Sequence, residues 1–224
     1  MDSKKKLYIL IIMNIIIFLA TTGIVISYFF GNDGQYHIEP SFRFNLFTTD
    51  SNILCAVAAF VMAVFQIRQL KNNKSVPKWA FILKYTGTCA LAVTFFTVMF
   101  FLGPSMGFME MVFGGTSVYM HFFGPIIAFV SFCFFETSKP LSIPLSLTGI
   151  IPTAVYGAWY CTEVVFITAE NGGWSDFYGF NQGGYWYITY PVMVIASFGL
   201  CMLVRAVHNA MSKKYSLSEN EVSK

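Results

Sequence analysis

Six apolar runs of about twenty residues, separated by short polar connections, constrain this chain more than anything else in it. A stretch of that length is what an α-helix needs to cross the hydrocarbon core of a bilayer, because each residue advances the helix by about 1.5 Å. The runs are Leu7–Phe30, Phe47–Ile67, Trp79–Leu102, Ser117–Phe135, Ile143–Phe166 and Tyr185–Val207. The composition agrees, with 56% hydrophobic and 11% charged residues where soluble domains carry about 25% charge. The expected fold is all-α, one bundle of six transmembrane helices over residues 1–211, with a polar tail at 212–224 expected to be disordered. The first run is too long for a removable signal peptide and lacks its small-residue cleavage pattern, so it counts as a span.

Basic residues set the expected orientation. With the N-terminus inside, Lys4, Lys5, Lys6, Arg68, Lys71, Lys74, Lys78, Lys84, Lys139, Arg205, Lys213, Lys214 and Lys224 fall on the cytoplasmic side and Arg43 alone falls outside, 13 of 14 on one face. Both termini are therefore expected in the cytoplasm, in a plasma membrane. The outer connections carry Asp33, Glu39, Glu110, Glu170 and Asp176 instead, so the net charge of +3 describes neither face. The inner rim suits anionic lipid head groups, and no stripe alternates basic with aromatic residues as a nucleic-acid site would. Cys55, Cys89, Cys133, Cys161 and Cys201 lie in five different spans without CxxC spacing, which reads as packing rather than a disulfide framework or zinc site. No cofactor is implied.

The chemistry-bearing stretch is Phe44-Asn45-Leu46-Phe47-Thr48-Thr49-Asp50-Ser51-Asn52, at the mouth of the second span. Thr48, Ser51 and Asn52 stand at helical steps of three and four, on one face, with Thr49 and Asp50 pointing elsewhere. Polar groups at this depth face protein or water rather than lipid. The simpler account is a helix start, with Thr48 or Asp50 as N-cap and Ser51 and Asn52 meeting free N–H groups of the first turn. Arg43 precedes the cluster, either snorkelling to the interface or poised for the carboxylate or phosphate of an amphipathic molecule.

His121 lies about one turn inside the fourth span, four residues before Pro125, and Thr48 lies about one turn inside the second. The two are therefore level, and packing of their helices would join a hydroxyl and an imidazole. Gly103 to Thr116 reads as an interfacial helix or a re-entrant lid, with Phe108, Met109, Met111, Val112 and Phe113 around Glu110. Asn171 to Gly184 reads as an aromatic belt, or as a lid in which Trp174 and Phe177 wall a lipid entrance. Asn32-Asp33-Gly34 reads as a turn. A metal site from His37, Glu163, Asp176 and His121 has no ligand spacing behind it.

Phe47-Thr48-x-x-Ser51-Asn52, with His121-x-x-x-Pro125, resembles the androgen-induced membrane protein family and its bacterial six-span relatives. Animal members of that family are intramembrane threonine hydrolases of fatty-acid esters of hydroxy fatty acids. The resemblance implies Thr48 as nucleophile and His121 as base. Thr49 competes with Thr48 but loses the three-residue step to Ser51. Ser51-Asn52 stands where the animal members carry an acidic and an apolar residue, and the long aromatic loop before the last span is extra; both bear on the substrate.

A threonine hydroxyl attacks an ester once a neighbouring base takes its proton, and an imidazole suits that task. Oxyanion donors would come from Asn52, Ser51, the first N–H groups of the second span, or Arg43. Asp50 or Glu163 could orient His121. No GxSxG elbow supports a soluble-type esterase. The expected function is hydrolysis of a lipid ester near the outer leaflet, with membrane lipids as partners. The alternative is a transporter or sensor with an outward polar cavity. Asn14, Thr21, Thr94, Thr97 and Thr153 are the modest mid-span polar candidates for that alternative, and no intramembrane charge pair is evident to support it.

Overall fold

The computed structural model describes residues 3–30, 40–136 and 140–222. Six of its helices are long and apolar enough to cross a membrane, so the chain is a multi-pass membrane protein. They are α1 (Ser3–Tyr28), α3 (Phe47–Asn72), α4 (Lys78–Met106), α6 (Val118–Phe135), α7 (Ile143–Ile167) and α8 (Trp186–Val222), with short helices α2 (Pro40–Arg43) and α5 (Phe108–Phe113) between them. No strand occurs among the described residues. The Asn32–Gly34 turn, His37 and Lys139 lie outside them.

The bundle is apolar outward and small or polar inward, the arrangement lipid selects. Ile12, Leu19, Val155 and Ile195 are more than half exposed, while Cys55, Ala56, Ala58, Ala59, Met62 and Ala63 of α3 are buried. Lipid tails supply no hydrophobic drive between helices, so close backbone approach and dispersion hold them together, and small residues permit that approach. Gly87 of α4 shows it: a Cβ there would stand 2.9 Å from the Cα of Cys55. The helix α4 touches α3, α6, α7 and α8 and so forms the centre. All five cysteines are free and buried, as packing residues would be.

Proline reshapes two of the spans. Pro125 cannot donate to the His121 carbonyl, and Val118–Phe123 adopts a wider π turn in which Gly124 N–H reaches Tyr119 O. Before Pro104, Val98–Leu102 does the same, with Gly103 N–H on Val98 O. Asn73, in the left-handed region at φ 54°, closes α3 by donating to Gln69 O.

Helix α8 runs as far as Val222, and no Gly or Pro follows Gly199 to interrupt propagation. One expectation about the fold fails. Lys84 is not a residue of the cytoplasmic rim but a fully buried one, 0% exposed, and buried Glu136 lies in the same cluster. The interior therefore holds two ionisable groups of opposite sign, contrary to the sequence reading. Their helices are packed together by tertiary contacts that the positive-inside count does not register.

Candidate functional site

The head of α3 begins without the side-chain cap that its threonines and aspartate suggested. Leu46 occupies the N-cap position and makes no side-chain cap bond. The cap comes from outside the helix: the Phe47 N–H donates to the Tyr178 hydroxyl at 3.1 Å. Burial pushes the Tyr178 phenol up to about 12, so it stays neutral at any physiological pH. Removing that oxygen in Tyr178→Phe orphans the Phe47 donor. The expected loss is about 0.5–2 kcal/mol, the usual range for a cap, read as a lowered thermal midpoint in detergent.

Tyr178 is held by a folded loop rather than a loose flap. The Asp176 carboxylate accepts from the Tyr160 hydroxyl at 2.9 Å and from the Phe180 and Asn181 N–H groups at 2.8 Å each. The Tyr160 oxygen in turn accepts the Tyr178 N–H at 2.9 Å. Phe177 packs on Phe42, with ring centroids 5.2 Å apart, and the Tyr156 hydroxyl donates to Asn45 O at 2.6 Å. The aromatic loop thus closes over the entry to α3.

Inside that closure the spacing holds for Ser51 and Asn52 and not for Thr49, which it turned away from the interior. Ser51 and Asn52 are buried, Thr48 is half-buried and Asp50 is exposed; Thr49 is buried as well. Ser51 donates to Thr48 O at 3.1 Å, so its 2.7 Å bond with the Thr94 hydroxyl of α4 has Thr94 as donor. The Asn52 amide donates to Thr48 O at 2.8 Å and to Met120 O at 3.1 Å. One side chain therefore straps the Thr48 turn of α3 to the residue preceding His121 on α6.

His121 is 8% exposed, and its Nδ1 stands 2.7 Å from Met111 O. A carbonyl has no hydrogen to give, so Nδ1 carries the ring hydrogen and the lone pair of the neutral imidazole lies on Nε2. Met111 is near the end of α5, where the last carbonyls lack partners within the helix and are available to an outside donor. The segment Gly103 to Thr116 is thus a helical cover whose last turn orients the histidine. That role was assigned in sequence to Asp50 or Glu163. Asp50 is exposed, Glu163 of α7 is half-buried, and neither bonds to His121.

The remaining site residues divide. Arg43 does not snorkel outward: it is 6% exposed, with its guanidinium 4.6 Å from the centroid of the Tyr28 ring of α1. Both amide hydrogens of Asn52, the Ser51 hydroxyl hydrogen and the Phe47 N–H already have acceptors, so of the expected oxyanion donors these are engaged. No hydrogen bond joins Thr48 to His121 among the described residues. Nor do three His, Cys, Asp or Glu side chains gather among them to hold a metal. Met111 O and Tyr178 carry roles that the sequence reading missed. The former is a backbone atom with no sequence signal; the latter could have been suspected as a tyrosine in a loop rich in glycine. Neither a family model nor a curated protein nor a solved structure matches this chain.

Proposed function

We propose that the protein is an intramembrane hydrolase of fatty-acid esters, working near the outer leaflet, with Thr48 as nucleophile and His121 as base. The observation that carries this reading is the Asn52 strap between the two turns, together with a histidine whose tautomer leaves Nε2 as a proton acceptor. Thr48 Oγ attacks the ester carbonyl carbon while Nε2 takes its proton, and the proton then passes to the departing alkoxide. Water attacks the resulting acyl-threonine with the same nitrogen as base, releasing the fatty acid. The oxyanion is met by the Tyr178 hydroxyl or the Arg43 guanidinium, since the Asn52 amide and the Ser51 hydroxyl are engaged elsewhere. Both termini are cytoplasmic in this reading, which puts the lysines of residues 4–6 and of the α3–α4 connection on the inner face.

The resemblance to the androgen-induced family supports the same pair, Thr48 and His121. The test is labelling of the purified protein by a fluorophosphonate, alongside turnover of a fatty-acid ester in detergent. Wild type and Thr49→Ala are expected to label and turn over, and Thr48→Ala to do neither. Equal labelling of Thr48→Ala and wild type refutes the assignment.

A transporter or sensor is the second reading, and one observation favours it: the buried group of Asn14, Gln66, Lys84 and Glu136. A folded wild-type protein with no labelling and no esterase activity selects that reading.

A further inference from the structure

A second polar site lies at the opposite end of the bundle from Thr48 and His121. Gln66 is eighteen residues beyond Thr48 on α3, about 27 Å along the axis at 1.5 Å per residue. Around it converge Asn14 of α1, Lys84 of α4 and Glu136 at the close of α6, which are 0%, 0% and 4% exposed, with Gln66 itself at 2%. Four separate helical segments thus contribute one polar side chain each to a single interior cluster. Groups of this kind are costly in a bilayer and mark ion and proton pathways more often than packing.

The hydrogen bonds are lopsided in an informative way. The Lys84 ammonium donates to Asn14 Oδ1 at 2.7 Å. The Asn14 amide donates to Gln66 Oε1 at 3.0 Å and to Glu136 Oε1 at 3.1 Å, and Gln66 Nε2 donates to the same Glu136 Oε1 at 3.4 Å. Glu136 Oε2, fully buried, accepts nothing. Asn14 thus bridges the two ionisable groups, which make no direct ion pair with each other.

An ionised carboxylate spreads its charge equally over two oxygens, and burying either one without a donor is expensive. A protonated carboxyl is unequal: its carbonyl oxygen accepts strongly, while its hydroxyl oxygen carries a hydrogen and accepts poorly. Oε2 has neither donor nor acceptor, and two donors on Oε1 with none on Oε2 fit the protonated form, in which the unpartnered atom is a neutral hydroxyl rather than half of a buried charge.

We propose that Glu136 is a proton-binding site, with Oε2 as the atom that holds the proton and Lys84 as the counter-charge that favours its release. In loading, a hydronium ion transfers its proton to Oε2 and leaves as water; release is the reverse. Lys84 is the cation facing the carboxyl, through Asn14, and the thiols of Cys55 and Cys133 are the other titratable groups within its field. Asn14 and Gln66 do not titrate, so they keep Oε1 solvated by protein in both states. The site is independent of the hydrolase reading and needs no part of it.

Infrared difference spectroscopy of the full-length protein in detergent tests this. At neutral pH wild type is expected to show a protonated-carboxyl C=O band that shifts in heavy water and is missing in Glu136→Gln. In Lys84→Met the midpoint at which the band disappears is expected to rise by about one pH unit or more, a tenfold gain in proton affinity, because the cation that favours ionisation is gone. If Glu136→Gln does not fold, carboxyl-13C glutamate in wild type must shift the band. A wild-type spectrum at neutral pH without such a band overturns the proposal. So does a band that Glu136→Gln retains, or a midpoint unmoved in Lys84→Met.

Discussion

Asn14→Leu is expected to destabilise the folded bundle by about 1–3 kcal/mol or more, the cost of leaving buried hydrogen-bonding groups without a partner, which is larger where one of them is charged. Asn14 is the sole side chain that touches the other three members of its cluster: it accepts from Lys84 and donates to Gln66 and Glu136. Leucine branches at the same carbon and is the larger residue, so the lost energy is not that of a cavity. The ammonium loses its acceptor inside a low-dielectric interior, and Glu136 Oε1 keeps one long bond, the 3.4 Å contact from Gln66. Adding Lys84→Met to Asn14→Leu removes the stranded charge and is expected to restore most of the loss, since an apolar replacement of a buried ionic group is often neutral or better. Denaturant or thermal unfolding in detergent, arranged as a double-mutant cycle, measures the coupling. A cost for Asn14→Leu below about 1 kcal/mol, the magnitude typical of interhelical polar contacts in membranes, would mean that water or lipid head groups reach Lys84 and that the cluster is not sealed.

That cluster also shows where sequence reading stops. Span number and position were legible, because length and hydropathy alone decide what crosses a bilayer, and proline chemistry explains the turns around Pro104 and Pro125. Lys84 was misread because its neighbours Lys78 and Trp79 look like an interface edge, and because the positive-inside rule counts a lysine without asking what lies opposite. Asn14 was recognised as a polar residue in mid-span, yet nothing in a linear pattern says that its partners stand on α3, α4 and α6. At the Thr48 end of the bundle, the spacing of Thr48, Ser51 and Asn52 correctly implied a face turned inward at Ser51 and Asn52. The partners of that face were not legible, for a physical reason: Thr48 O, Met111 O and Met120 O are carbonyls that every residue possesses. The cap on α3 was misassigned because Tyr178 reaches the helix from 131 residues away and so displaces a local solution with a tertiary one.

The strongest expected effect on chemistry separates two jobs that His121 does. Its Nδ1–H satisfies Met111 O, and its Nε2 is the proposed base. Asparagine places an amide N–H close to where Nδ1 stands and offers no nitrogen lone pair for proton transfer. His121→Asn is therefore expected to stay within about 1 kcal/mol of wild type in stability, since a net hydrogen bond is worth about that much. Its ester turnover is expected to fall by about 10²–10⁴-fold, the usual contribution of a positioned general base. His121→Ala loses the Met111 bond as well, leaving a carbonyl under α5 without its donor, and should add about 1–3 kcal/mol of destabilisation. The contrast matters because a structural histidine predicts the opposite order, with activity following stability through both variants. Should His121→Asn hydrolyse ester at the wild-type rate, the proton on Thr48 goes elsewhere; the exposed carboxylate of Asp50, two residues along the same helix, is the next group to test.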